Sequence, residues 1–260
     1  FPYTTLFRSE TGVRHLDVLE IHYYPQDLTN DFTDPVVADH RLRAHRSLFD
    51  PLYSDESYIS EPVELIPRMN AWIDEFYPDT KLAISAWNFG AQDTMNGAIA
   101  IADVLGVFGQ EELYYASFFP EIERETPAFY AFKMFTNYDS FGGTYGDLAV
   151  LAESSHPEEV GAYSSIDLET GNLHIILINR VEEVQQFETE VSWDGFESTG
   201  IGSIYQYTGR DIENFGSDID PGIKGGPEPM GQTKQLINLP GYSITHMILE
   251  PVLDQGSKTE

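Results

Sequence analysis

The chain has 260 residues and a formal net charge of −29, long enough for one large domain or two ordinary ones. So acidic a surface repels phosphate backbones and anionic lipid, which makes nucleic acid and membranes poor partners and leaves a neutral polymer such as a polysaccharide open. Cysteine is absent, which rules out disulfides, thiolate catalysis and cysteine-ligated zinc.

Residues Pro2 to Ser9 read PYTTLFRS. One reading frame of a common sequencing-library adapter, CCC TAC ACG ACG CTC TTC CGA TCT, encodes the same eight residues. Residues 1–10 are therefore expected to be a non-native leader, with native sequence from about Glu10. Leu16–His22 alternates and is rich in branched residues, as in a strand. It leads into Tyr23-Tyr24-Pro25. A long polar loop is predicted from Gln26 to Glu61, with Arg41, Arg43 and Arg46 at its centre, in a chain with only 14 basic residues. Arg46 is expected to hold a loop carboxylate, namely Asp50, Asp55 or Glu56. Loops of this length are usually functional or partly helical.

Helices are predicted over Glu64–Tyr77, Asn96–Phe108 and Pro127–Asn137, from apolar residues at the spacing of one buried face. Strands are predicted over Lys81–Trp87 and Leu113–Phe119. Strand and helix alternate three times, the signature of a parallel sheet. Three such units cannot close a barrel, which needs eight. The exposed edges of such a wedge predict poor solubility. In Lys81–Gly90, KLAISAWNFG, strict alternation would put Leu82, Ile84, Ala86 and Asn88 on one face.

After Gly142-Gly143 the pattern changes to short alternating runs: Leu148–Ala152, Val160–Ile166, Leu173–Asn179, Phe187–Val191, Ser203–Tyr207, Lys234–Leu239 and Tyr242–Leu249. Turn residues such as Glu169-Thr170-Gly171-Asn172 separate them. Seven short strands without helical period predict an antiparallel sandwich. Asp211–Gly231, rich in Gly, Pro and Asp, is predicted as an exposed loop. No set of His, Asp or Glu has ligand spacing, His40 and His45 included, so neither metal nor cofactor is expected. Calcium at Asp211–Asp220 is the weakest alternative.

Several segments together carry a resemblance: LEIHYYP (Leu19–Pro25), RSLFDPLYSDES (Arg46–Ser57), LIPRMNAWIDEFYP (Leu65–Pro78), KLAISAWNFG (Lys81–Gly90), NGAIAIADVLGVFG (Asn96–Gly109) and FYAFKMFTNYD (Phe129–Asp139). In this order the chain resembles the C-terminal part of glycoside hydrolase family 44, whose members cleave β-1,4-glucans such as xyloglucan. The resemblance implies an α/β plus β protein: the last three β/α units of a TIM (β/α)8 barrel over 11–141, then a β-sandwich domain over 142–260. It implies a β-glucan partner, extracellular action and a retaining mechanism with two glutamates. The family's acid lies in an Asn-Glu-Pro setting that does not occur in this sequence. Its nucleophile lies in a pattern close to Ile-Thr-Glu-Tyr-Asn, and the matching residues here are Ile84-Ser85-Ala86-Trp87-Asn88. Ala86 therefore occupies the nucleophile position, and a methyl group cannot attack carbon.

The resemblance also implies a substrate-binding set of His22, Tyr23, Tyr24, Trp87, Asn88 and Phe118, the last standing where tryptophan is expected. His22, Tyr23 and Tyr24 fit either glucosyl contact or an aromatic wall, and Trp87 fits either stacking on sugar or packing between helix and sheet. Glu20 is expected as a barrel-interior group, and Asp93 as a loop carboxylate too loosely held to attack. Three functions stay open: a truncated β-1,4-glucanase inactive as this chain, a non-catalytic glucan-binding pseudoenzyme, and an inert product whose sandwich has an interaction role.

Overall fold

The computed structural model describes residues 14–26, 34–182, 187–209 and 222–252. By internal contacts the chain divides into two compact units, Phe1–Arg124 and Glu125–Glu260. The adapter-like leader and Asp211–Asp220 lie outside the described residues.

The first unit is built on three parallel strands, β1 (Val18–Tyr23), β2 (Lys81–Trp87) and β3 (Tyr115–Phe118), in that order across the sheet. Helices α1 (Pro35–Arg43), α2 (Leu65–Phe76) and α3 (Met95–Gln110) intervene. The segment predicted as a long loop thus contains α1 and a following 3-10 turn, Ala44–Leu48. Its helical period is hidden because α1 carries few apolar residues and starts from a cap and a proline. Asp34 Oδ1 accepts from Val36 N at 2.8 Å, and Pro35 occupies the first turn, where its missing N–H costs nothing. Helix α3 is buried on nearly all sides. Its N-cap Thr94 accepts from Gly97 N at 3.1 Å. A Cβ on Gly97 would lie 2.0 Å from the Ala91 carbonyl oxygen, so this close approach of helix and loop requires glycine.

The second unit opens with α4 (Pro127–Thr136). Among the described residues eight strands follow: β4 (Leu148–Val150), β5 (Val160–Ile166), β6 (Leu173–Asn179), β7 (Phe187–Ser192), β8 (Ser198–Tyr207), β9 (Ile223–Pro229), β10 (Lys234–Leu239) and β11 (Ser243–Pro251). Six form one sheet in the order β4-β5-β6-β11-β8-β9, and β10 pairs with β7 in a second. Leu173, Ile175, Leu177, Met247 and Leu249 of the large sheet share a core with Ile237 and Leu239 of the small one. The opposite face of the large sheet is covered by α4, where Tyr130 stacks on Tyr207 at 4.9 Å. A sheet covered on both faces reads as a continuous apolar run, and β6, LHIILIN, is buried at all seven positions.

Strand β9 corrects the prediction that 211–231 is loop throughout. It is an edge strand, where Pro227 and Pro229 are tolerated because no partner needs their missing N–H. Its Gly225 is required by a close approach, since a Cβ there would sit 1.9 Å from the Ile204 carbonyl oxygen. Proline and glycine are loop signals in a sequence, which is why the strand was not legible.

Candidate functional site

The C-terminal ends of β1, β2 and β3 hold the residues singled out in the sequence. In the parallel pairing Ile21 lies beside Ile84, but His22 lies beside Ala86. Strand β2 therefore has one extra residue, Ser85, at this point. The same surplus recurs on its other side, where Ile84 pairs with Ala116 and Trp87 with Phe118. A bulge of this kind re-aims the side chains beyond it. Strict alternation is broken, so Ile84 and Ala86 lie on opposite faces. This corrects the expectation that Leu82, Ile84, Ala86 and Asn88 share one.

One face is apolar and lies under the helices. Tyr23, Trp87 and Phe118 form a row there by register. The Trp87 ring meets Phe118 at 4.9 Å, Phe108 of α3 at 5.2 Å and Phe89 at 6.4 Å, all near perpendicular. At 1% exposure it has no free face, so this geometry takes the packing alternative for Trp87. Tyr23 packs on Phe89 at 5.9 Å, and burial raises its hydroxyl pKa. Phe118 is half-buried against Trp87. The opposite face carries Glu20, His22, Ala83, Ala86 and Tyr115 by register. Glu20, His22 and Tyr115 are exposed, and Tyr24, just past the strand, is 42% exposed.

Asn88 is nearly buried and used by the backbone. Its Nδ2 donates to the Phe119 carbonyl at 2.8 Å and its Oδ1 accepts from Gly90 N at 2.6 Å. It thus ties the end of β2 to the end of β3. The loop then turns through Gly90 and Ala91, both at positive φ. Arg41 fixes this loop from α1: its fully buried guanidinium donates to the Phe89 carbonyl at 2.9 Å and to Asn96 Oδ1 at 2.6 Å. Asn96 Nδ2 in turn donates to the Ala38 carbonyl at 3.1 Å.

The other two arginines of the cluster hold the segment after the 3-10 turn. Arg43 grips Glu56 with two bonds, 2.5 and 2.8 Å, and Tyr53 donates to the same carboxylate at 2.8 Å. The Arg43 contact holds the Glu56 carboxyl down at about 2. Arg46 pairs with Asp50 at 2.8 Å and lies over the Tyr53 ring. Ser47 donates to Asp55 at 2.6 Å. Of the three carboxylates expected for Arg46, Asp50 is the partner found. On this clamped segment Tyr58 is 85% exposed. Sequence reasoning did not single it out, because an exposed tyrosine in a polar stretch has no periodic signal. Among the described residues no three His, Asp or Glu come together to hold a metal ion, and no helix is long and apolar enough to cross a membrane.

No protein-family profile matches the chain. The chain is 34% identical over 232 residues to beta-mannanase/endoglucanase A of Caldicellulosiruptor saccharolyticus, covering 80% of this chain and 16% of that protein. It superimposes with a TM-score of 0.88 and 30% identity on CelM2, a bifunctional glucanase-xylanase from a metagenome library, covering 96% of this chain and 46% of that one. Against Cel44A, a family 44 endoglucanase from Clostridium thermocellum, the TM-score is 0.83 and the identity 30%, with 96% and 50% covered. The chain resembles part of a family 44 glycoside hydrolase. It spans half or less of the length of these relatives. The open strand ends of the first unit are thus those of a family 44-like α/β fold, with Ala86 beside His22 at their centre.

Proposed function

We propose that this chain is the glucan-holding part of a family 44-like β-1,4-glucanase and that by itself it binds the polymer without cutting it. The three parallel strands are then part of a (β/α)8 barrel running by resemblance to residue 141, and the sandwich starts at 142. By contacts α4 goes with the second unit instead. By the same resemblance the polymer is met outside the cell.

The observation that carries the reading is Ala86. Retention of configuration needs two carboxyl groups roughly 5 Å apart, one giving a proton to the leaving oxygen and one attacking the anomeric carbon. The methyl group of Ala86 stands at the strand end where the attacking oxygen belongs. Glu20 is on the same open face, but it pairs in register with Ala83, deeper in the sheet than the His22–Ala86 pair. Binding needs no carboxylate. His22 and Tyr24 offer a ring nitrogen, a hydroxyl and an aromatic face to a glucosyl unit. Trp87, Tyr23, Phe118 and Asn88 support these groups from below.

Electrophoresis through gels cast with xyloglucan or hydroxyethylcellulose, beside a reducing-sugar assay on the same polymers, tests the reading. Retarded migration that His22→Ala and Tyr24→Ala weaken, with no new reducing ends, is expected. Release of reducing ends by the purified chain would overturn it.

A further inference from the structure

The second unit contains a buried histidine pair that the glucan reading does not use. His174 on β6 pairs with Ile248 and His246 on β11 pairs with Ile176, so the two are diagonal neighbours on the face covered by α4, at 1% and 0% exposure. His174 Nδ1 and His246 Nε2 are 2.9 Å apart, and His246 Nδ1 is 3.0 Å from the Met134 carbonyl oxygen of α4.

The bonds fix the protons. A carbonyl only accepts, so His246 Nδ1 carries a hydrogen. A neutral His246 then accepts at Nε2, and His174 donates from Nδ1. One hydrogen-bonded line runs from β6 through β11 to the backbone of α4. At its far end His174 Nε2 is buried without a hydrogen-bond partner. The intact line can take one proton, at that nitrogen, giving an imidazolium with both bonds kept. A second proton would need His246 Nε2, which already accepts from His174, so it breaks the line.

We infer that the His174–His246 pair is an acid-sensitive latch that fastens α4 to the large sheet and opens as the medium acidifies. The surroundings oppose charge on it. The Tyr138 ring lies 4.4 Å from the His246 ring and 6.1 Å from that of His174. Tyr145 lies 6.0 Å from His246, and Tyr205 packs on Tyr138 at 5.0 Å. Asp167 and Asp147 act on His174 from the turn and the strand start, and favour its protonation. Asp139 acts on Tyr138 and Tyr205 rather than on the imidazoles. Burial outweighs the two aspartates and pushes His174 down to about 4, and burial holds His246 well below the ordinary histidine range.

The sign follows. Both folded values lie below the unfolded value of about 6.5, so the stability they contribute is complete above pH 6.5 and is lost as pH falls toward 4. Each histidine raises the opening equilibrium up to about tenfold per pH unit in that window.

The test uses the whole chain with 15N-labelled histidine. Of its seven histidines, two are expected to hold the neutral Nδ1–H form at pH 7 and to stay neutral at pH 5. Hydrogen exchange of the α4 amides, corrected for intrinsic rate, should show an opening equilibrium rising by up to about 100-fold between pH 6 and pH 5. In His174→Gln/His246→Gln that rise should be largely lost. An Nε2–H form at both sites, ordinary titration near 6.5, or an unchanged rise in the double variant would each overturn the latch. If the double variant does not fold, the tautomers and titration of the unaltered chain decide. Neither readout involves glucan, so failure of the latch leaves the binding proposal standing.

Discussion

The central strands of the two units are built on opposite plans. Strand β6 is buried at all seven positions, between the small sheet on one side and α4 on the other. Strand β1 has no fully buried residue, and its open face shows Glu20 and His22. In β6 each side chain is chosen for packing, and polar exceptions such as His174 are bonded inside. In the first unit one face carries the apolar packing of Ile84, Trp87 and Phe118, and the bulge at Ser85 turns Ala86 onto the other face, beside His22. Burial is complete where both faces are closed, and polar side chains reach solvent where one is left open.

Truncating each packed face should expose this contrast. Ile176→Ala on β6 is expected to destabilise the second unit by about 3 kcal/mol, read as a drop in urea midpoint by Trp193 fluorescence. The Trp87 signal from the first unit should not move, and a joint shift would break the contrast. Arg41→Met leaves the Phe89 carbonyl and Asn96 Oδ1 without their donor. It should cost about 2 kcal/mol, seen in the Trp87 signal, and loosen the loop after β2 enough to weaken glucan retention. Glu56→Gln should cost about 1 kcal/mol at pH 7, since the pair is partly exposed. The Glu56 carboxyl is held at about 2, below its ordinary 4.5. Its contribution is therefore complete above pH 4.5 and lost as pH falls through 2, so variant and parent should converge in acid denaturation curves. Tyr58→Ala should change stability by less than about 0.5 kcal/mol yet reduce gel retardation on xyloglucan. Unchanged retardation would confine recognition to the strand ends.

Much of this architecture could be read from the residues. Lys81–Trp87, Val160–Ile166, Leu173–Asn179 and Lys234–Leu239 are strands with the predicted bounds, because each is a clean apolar or alternating run between turn residues. Helix α1 was missed because its burial rests on Arg41 and not on an apolar stripe. Strand β9 was missed because edge position tolerates the prolines that signal a loop. At the site, the His22–Ala86 neighbourhood was legible from the strand assignments. The bulge was not, since Ser85 looks like any strand residue and only pairing reveals the surplus. Hence Trp87 stood open between two roles in the sequence, and its neighbours Phe108 and Phe118 assign it to packing.

The most direct test is intact-mass measurement after incubation with a 2-deoxy-2-fluoro β-cellooligosaccharyl fluoride, a reagent that traps the glycosyl ester of a retaining glucanase. On the proposed reading of Ala86, the mass should stay unchanged while the same preparation is retarded in xyloglucan gels. A stoichiometric mass increase on any carboxylate of this chain would contradict the account.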